Sequence, residues 1–440
     1  MKEKKVLILG AGLAGLSCAY HLQSKKNLKV DVIEKSDHVG GTARSIEVGG
    51  FTFDFTGHLL HLHHPYTKNL IQKLLKGNLV SCVRKAAIYS HGVLTPYPFQ
   101  VNTYGLPSQV KKECVEGFKE AVQKYGDDSL RSTSLSFDKW SLRTFGKGVH
   151  KHFMKPYNEK LWQVSLDKMT AEWCGMFVPQ PKLEDVIAGS QKNLEKSFGY
   201  NVTFLYPKKG GIQVLPQALA KESSVQTNTS FEEVDWKKKN VLLSNGKRMD
   251  YDALISSVPL VELLRRLKDL PKDVKEAMSA LKWTSILCIN MGVSRPNISD
   301  KSWIYFPEKK FSFYRVGFPM NFTPHAVPKG CSSMYIEVAN PPEETLDYNN
   351  PNFLNRIKKD LEKCELLRCS DKILITNFTP IRYAYVLYTP KRSKILSTIF
   401  SFLQENNISS IGRYGGWKYS FMEEAILDGK KTAESILTNL

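Results

Sequence analysis

Val6-Leu-Ile-Leu9-Gly10-Ala-Gly12-Leu13-Ala14-Gly15-Leu16-Ser-Cys-Ala-Tyr20 is the stretch that decides the fold. Four aliphatic residues closed by a glycine read as a buried parallel strand, and the run from Leu16 has helical periodicity, so a tight turn joins strand to helix. Gly10 permits the turn, Gly12 lets backbone approach a pyrophosphate, and Gly15 lets the helix pack on the strand. Leu13 and Ala14 fall in the first helical turn, where a helix N-terminus favours anions. A second strand, Lys29-Val-Asp-Val-Ile33, ends in Glu34, placed to accept ribose hydroxyls, with Lys35 beside it. With 28 glycines in 440 residues the fingerprint alone is a weak signal; the strand–turn–helix–strand–acid context gives it weight.

At about 150 residues per domain the length implies two or three folding units. Apolar residues make 42% of the chain and charged residues 24%, the balance of a globular protein. The net charge of +19 favours anionic partners. The densest basic runs, Lys2 to Lys5 and Lys237 to Lys239, are short and lack interleaved aromatics, so a solvated basic face is expected and a nucleic-acid groove is not. Peripheral membrane contact and the number of subunits stay open. Eight cysteines without a C-x-x-C pair argue against zinc and suggest a reduced, cytoplasmic chain, and no signal segment is visible. No apolar run approaches the ~20 residues that span a bilayer.

From Thr67 to Gly199 amphipathic, Lys- and Glu-rich text broken by prolines reads as mainly helical. Short strands return near Tyr206, with Ser244-Asn-Gly246 as a hairpin and Ala253 to Val258 as a buried strand. Trp283 to Tyr388 alternates as an antiparallel sheet, and a closing helix runs from Phe421 to Leu437. The expectation is α/β: a Rossmann-type dinucleotide domain from 1–75, 200–260 and 395–440, a mainly helical insertion over 76–199, and an antiparallel-sheet substrate domain over 261–394.

Past the ribose acid, Glu34-Lys-Ser-Asp-His-Val-Gly-Gly41-Thr42-Ala-Arg44 adds a glycine pair and an arginine. This resembles the GR2-like FAD-binding motif of the amine oxidase, protoporphyrinogen oxidase and UDP-galactopyranose mutase superfamily. The resemblance lays Gly40, Gly41, Thr42 and Arg44 along the FAD diphosphate and flavin. Tyr206-Pro-Lys-Lys-Gly-Gly211 with Val214 to Leu219, and Gly412-Arg413-Tyr-Gly-Gly-Trp417-Lys-Tyr419 with Gly429, are similar to its flavin-proximal and C-terminal segments. Non-covalent FAD is therefore expected. A second glycine fingerprint is absent, so an external reductant such as NAD(P)H would dock only transiently.

Asp54-Phe-Thr-Gly57-His58-Leu-Leu-His61, Thr95-Pro-Tyr-Pro98-Phe with Asn102, and Tyr157-Asn-Glu-Lys-Leu-Trp162 resemble segments of the mutases. By that resemblance Gly57 and His58 lie against the flavin, and His58 and His61 with Tyr385 form the catalytic set. Tyr157, Trp162, Tyr385 and Tyr419 line a nucleotide-sugar pocket, Arg413 and Tyr419 also flanking the cofactor. His63 and His64 read as loop residues, a metal at the histidines lacks an acidic cluster, and one of Tyr157 and Trp162 has a packing role as an alternative. One departure stands out: where the mutases carry diphosphate-binding arginines, this chain reads Ala171-Glu-Trp173-Cys174 and Lys282-Trp283-Thr284-Ser285, leaving Arg315 or Arg382 as substitutes. The implied activity is pyranose–furanose interconversion of a nucleotide sugar through reduced flavin N5, in polysaccharide synthesis. The alternatives are hydride abstraction from an amine, porphyrinogen or polyene, and a non-enzymatic flavoprotein on an anionic surface.

Overall fold

A computed structural model describes residues 3–23, 27–126, 134–175, 177–194, 198–199, 202–344 and 346–439. The N-terminal strand Lys4–Leu9 sits at the centre of a five-stranded parallel sheet in the order Ile408–Ser410, Ala253–Ser256, Lys4–Leu9, Leu28–Ile33, Val225–Gln226. Its central strand and its neighbour carry unbroken apolar runs, Val6 to Leu9 and Ala253 to Ile255, as strands covered on both faces do, whereas Leu28–Ile33 is interrupted by Lys29 and Asp31. Helix Leu13–Leu22 packs against the C-terminal helix Met422–Asn439, and Leu16, Cys18 and Ile426 share one wholly buried core with Ile8 and Ile255 of the sheet.

The second sheet has seven strands in the order Ile373–Val386, Trp283–Val293, Ser332–Asn340, Arg315–Gly317, Trp303–Tyr305, Ala86–Ser90, Val93–Pro96. It is antiparallel except where Trp303–Tyr305 runs parallel to Ala86–Ser90. The segment expected to be mainly helical thus opens with strands: Leu79–Val83 pairs with Thr203–Pro207, and the next two extend the large sheet. Ala87, Ile88 and Ser90 are all buried, so this short strand shows no in–out alternation to reveal it. Helices Ser108–Tyr125, Phe137–Val149, Lys155–Trp162 and Leu183–Gln191 follow. The Ser244–Gly246 hairpin forms as expected, joining Asn240–Leu243 to Arg248–Asp250. Among the described residues no helix is long and apolar enough to cross a membrane.

Candidate functional site

The first site element is a glycine cradle at the end of strand Lys4–Leu9. Gly10 has φ +92°, and its carbonyl accepts the Ser257 hydroxyl at 2.8 Å. A Cβ on Gly15 would lie 2.2 Å from the Gly10 oxygen, so helix and turn touch directly. A Cβ on Gly12 would meet nothing nearer than the Ser257 hydroxyl at 3.8 Å, so neighbouring protein does not demand glycine there. Gly12 caps helix Leu13–Leu22 without any side-chain acceptor, leaving first-turn N–H groups for an anion. Leu13 and Ala14 are buried side chains that contribute backbone to this turn. The Glu34 carboxylate is buried and fixed, accepting N–H from Ala11 at 2.8 Å and Ser36 at 2.9 Å. Gly40 bridges to Gly12, with Gly41 and Thr42 following, and Lys35 is exposed. The Arg44 guanidinium lies 4.7 Å over Phe55 and makes no ion pair among the described residues. Gly412 closes the cradle: a Cβ there would be 2.7 Å from that of Ala14.

The second element follows the hairpin of Ser45–Val48 and Phe51–Asp54. Thr56 takes φ +68°, a strained value for a β-branched residue, and a Cβ on Gly57 would sit 2.3 Å from the Tyr335 hydroxyl. That turn presents His58 and His61, each with a buried Nδ1 that has no hydrogen-bond partner. Burial, then Arg413 and Arg315, pushes His58 down to about 4. Burial with Arg84 does the same to His61, whose ring lies 6.1 Å from Phe204 and 5.8 Å from Phe421. Both imidazoles are neutral at pH 7 and differ from the expected loop pair beyond them: His63 and His64 give their N–H groups to Glu423.

The third element is an aromatic wall with two arginines. Tyr385 and Tyr419 stack at 6.0 Å and 14°. Trp162 meets Tyr385 edge-on at 5.4 Å, and Trp173 lies 5.1 Å from Trp162 and 5.8 Å from Tyr419. Tyr157 stacks on Phe153 at 5.2 Å and touches Tyr305 at 5.4 Å. Arg413 lies 4.8 Å over Tyr419 and 5.3 Å over Tyr385, donating to the Ser420 carbonyl at 2.6 Å and the Ala384 carbonyl at 3.2 Å. Arg315 is paired bidentately with the wholly buried Glu337 at 2.6 and 2.8 Å. Both cations act on His58, Tyr385 and Tyr419, so strand, turn and C-terminal segment converge on one place.

The structure therefore gathers His58, Tyr157, Trp162, Tyr385, Arg413 and Tyr419 around one centre. Trp162 is 1% exposed, gives its indole N–H to Asn158 at 3.2 Å and meets Tyr385 in a T-shaped contact. Of the two substitute cations, Arg315 belongs to the site; Arg382 has a side chain 60% exposed and lies 3.8 Å from Glu262, outside it. Sequence reasoning missed Glu337, Arg84, Tyr305 and Tyr314. Glu337 had a signal: it is the one acid inside the apolar strand Ser333-Met-Tyr-Ile-Glu-Val338 and stands directly opposite Arg315.

Comparison with known proteins agrees with this architecture. The model of flavin-containing amine oxidoreductases matches residues 13–437. The chain belongs to that family. It is accordingly a flavoenzyme of the amine oxidase superfamily, built to hold a flavin. The solved structure of a reduced UDP-galactopyranose mutase superposes with a TM-score of 0.92 at 27% identity, covering 99% of this chain and 96% of that one. Coproporphyrinogen III oxidase of Bacillus subtilis is 21% identical over 397 residues, 82% of this chain and 83% of its own length. A 1-hydroxycarotenoid 3,4-desaturase of Flavobacterium sp. is 46% identical over 61 residues, 14% of this chain but only 12% of that relative's length.

Proposed function

We propose that this flavoenzyme binds FAD and interconverts the pyranose and furanose forms of a nucleotide sugar. The cradle fits FAD: glycine at position 12 answers no protein neighbour, the helix N-terminus has free donors, and Glu34 is held at the strand end where a ribose would lie. Gly10, Gly12, Gly41 and Thr42 would hold the diphosphate, Gly15 would keep helix and turn in contact beneath it, and Arg44, Gly57, Gly412 and Arg413 would flank the ring system. When bound and reduced, FAD supplies an electron-rich nitrogen able to add to an anomeric carbon.

The chain's own part is geometry and charge. The observation that carries this reading is the convergence of Arg315 and Arg413 on the stacked Tyr385–Tyr419 pair beside His58. Arg315 offers its remaining N–H groups to a diphosphate while Glu337 fixes its plane. Arg413, which donates to two carbonyls and has no carboxylate partner among the described residues, keeps its full charge near the cofactor and favours an anionic reduced state. Tyr157 and Tyr385 would orient the sugar, and neutral His58 and His61 would hold or pass a proton at Nδ1. The test is anion-exchange separation of UDP-galactopyranose incubated with dithionite-reduced, flavin-loaded protein, the oxidised protein being the blank. A furanose peak in the reduced sample alone is expected; its absence, with flavin bound, rejects this substrate.

A second reading is supported by Trp173 and Phe177, which build an aromatic wall with Tyr419 in the neighbourhood where the mutases carry a diphosphate-binding arginine. Such a wall suits a planar apolar substrate that loses hydride, as the names of the porphyrinogen and carotenoid relatives suggest. Stopped-flow reduction of the oxidised flavin by porphyrinogens or polyenes would decide for it.

A further inference from the structure

Between Tyr157 and Trp162 the helix Lys155–Trp162 carries a half-buried cation that the roles above leave unused. Lys160 Nζ donates to the backbone carbonyls of Phe306 at 2.8 Å, Glu308 at 2.5 Å and Phe313 at 3.1 Å. An ammonium has three protons, and all are spent on one loop. That loop starts directly after Tyr305, the end of strand Trp303–Tyr305, and finishes directly before Tyr314, which leads into strand Arg315–Gly317. The Phe306 N–H bonds the Tyr314 carbonyl at 2.9 Å, and Phe306, Phe311 and Phe313 fill the core beneath. One turn earlier on the same helix, Tyr157 touches Tyr305 at 5.4 Å and Tyr314 at 6.2 Å.

We infer that Lys160 is a positioning residue of the candidate site: by bonding the start, middle and end of loop 306–313 it sets where Tyr305, Tyr314 and Arg315 stand relative to Tyr157. Simple ion pairing does not account for the lysine. No carboxylate among the described residues bonds it; Glu308 is held by Lys310 at 3.0 Å and by the His91 N–H at 3.0 Å, and Asp360 by Ser312 at 2.7 Å and Lys363 at 3.0 Å. Burial lowers the amine to about 7 against the pull of those two acids, a cost that an apolar side chain on this helix face would avoid. The three carbonyls explain the cation: the Glu308 carbonyl also takes the Phe311 N–H at 3.2 Å, but among the described residues those of Phe306 and Phe313 have Lys160 as their donor.

Hydrogen exchange on the full flavin-loaded chain tests this independently of any reaction. Lys160→Met is expected to reduce protection across 304–316 at least about tenfold while strand Lys4–Leu9 stays within about twofold, and Lys160→Arg, which keeps a cation, to restore part of it. Protection within about twofold of wild type in Lys160→Met, or equal loss in the N-terminal strand, overturns the inference. A second arm rests on the nucleotide-sugar reading: equilibrium dialysis of UDP should show affinity about tenfold weaker in Lys160→Met and partly recovered in Lys160→Arg. Unchanged UDP affinity despite a loosened loop also overturns it. Failure of the wild type to bind UDP counts against the nucleotide-sugar reading instead, and the exchange result then decides on Lys160.

Discussion

Glu423 accepts the backbone N–H of His64 at 2.9 Å across 359 positions of sequence. The same oxygen takes the His63 N–H at 2.9 Å and the Thr67 hydroxyl, and the carboxylate is buried. It stands in the first turn of helix Met422–Asn439 and faces the start of helix Pro65–Leu75, so two positive helix ends favour its charge. It also joins the two segments that meet at His61 and Phe421. Glu423→Ala should strand two N–H donors, cost about 1–3 kcal/mol and alter the visible circular dichroism of the flavin, while Glu423→Gln keeps an acceptor and loses less. Wild-type stability in Glu423→Ala would count against this role.

Two neighbouring glycines should separate folding from cofactor binding. A Cβ at Gly15 would lie 2.2 Å from the Gly10 carbonyl, so Gly15→Ala must push the helix off the strand and lower both stability and flavin content. At Gly12 the backbone φ is −73° and the nearest atom to a Cβ is 3.8 Å away, so Gly12→Ala should melt as the wild-type apoprotein does. Its flavin affinity should nevertheless fall, at least about tenfold for the loss of one close phosphate approach. Flavin titration of the two apoproteins beside their melting curves checks this; equal affinity in Gly12→Ala would remove the cofactor argument for that position.

Local signals made the parallel sheet legible. Gly10, Gly12, Gly15 and Glu34 act within a short stretch, and their spacing follows from what a turn and a helix end require. Ala86–Ser90 was not legible because a strand buried on both faces of a mixed sheet has no alternation to read. The site splits along the same line. His58 and His61 lie in one turn and were visible. Arg315 and Glu337 act as a pair only because two strands run antiparallel in one register, which no single stretch of sequence states. Lys160 was quoted inside its motif, yet its partners are backbone carbonyls, which carry no side-chain signature.

Acid should expose opposing contributions from the histidines and Asp54. His58 and His61 sit at about 4 in the folded chain, below their ordinary value of 6.5, because burial disfavours the imidazolium. Their stabilisation is complete above pH 6.5 and is lost as the pH falls through 4. Asp54 runs the other way: burial raises it from 3.8 to about 6 despite hydrogen bonds from Ser45, Tyr206 and Ile212, so its contribution is full below 3.8 and lost as the pH rises through 6. Melting temperatures from pH 8 to 4 should therefore fall less in His58→Asn or His61→Asn than in wild type, and more steeply in Asp54→Asn. Parallel curves for all four proteins would refute the assignment.

The Arg315–Glu337 pair allows stability to be separated from binding. Glu337 is wholly buried and the Arg315 side chain is only 19% exposed, so Glu337→Ala leaves a largely desolvated cation without its partner and should cost about 3–5 kcal/mol in urea unfolding. Removing both charges, as Arg315→Met with Glu337→Leu, removes the desolvation problem too, and most of that loss should return. If Arg315 serves only the sheet, the double variant should bind UDP as the wild type does. If it offers its free N–H groups to a diphosphate, the double variant should be stable yet bind UDP at least about tenfold more weakly, with flavin content unchanged. A double variant as unstable as Glu337→Ala would instead show that shape, and not the buried charge, sets the cost.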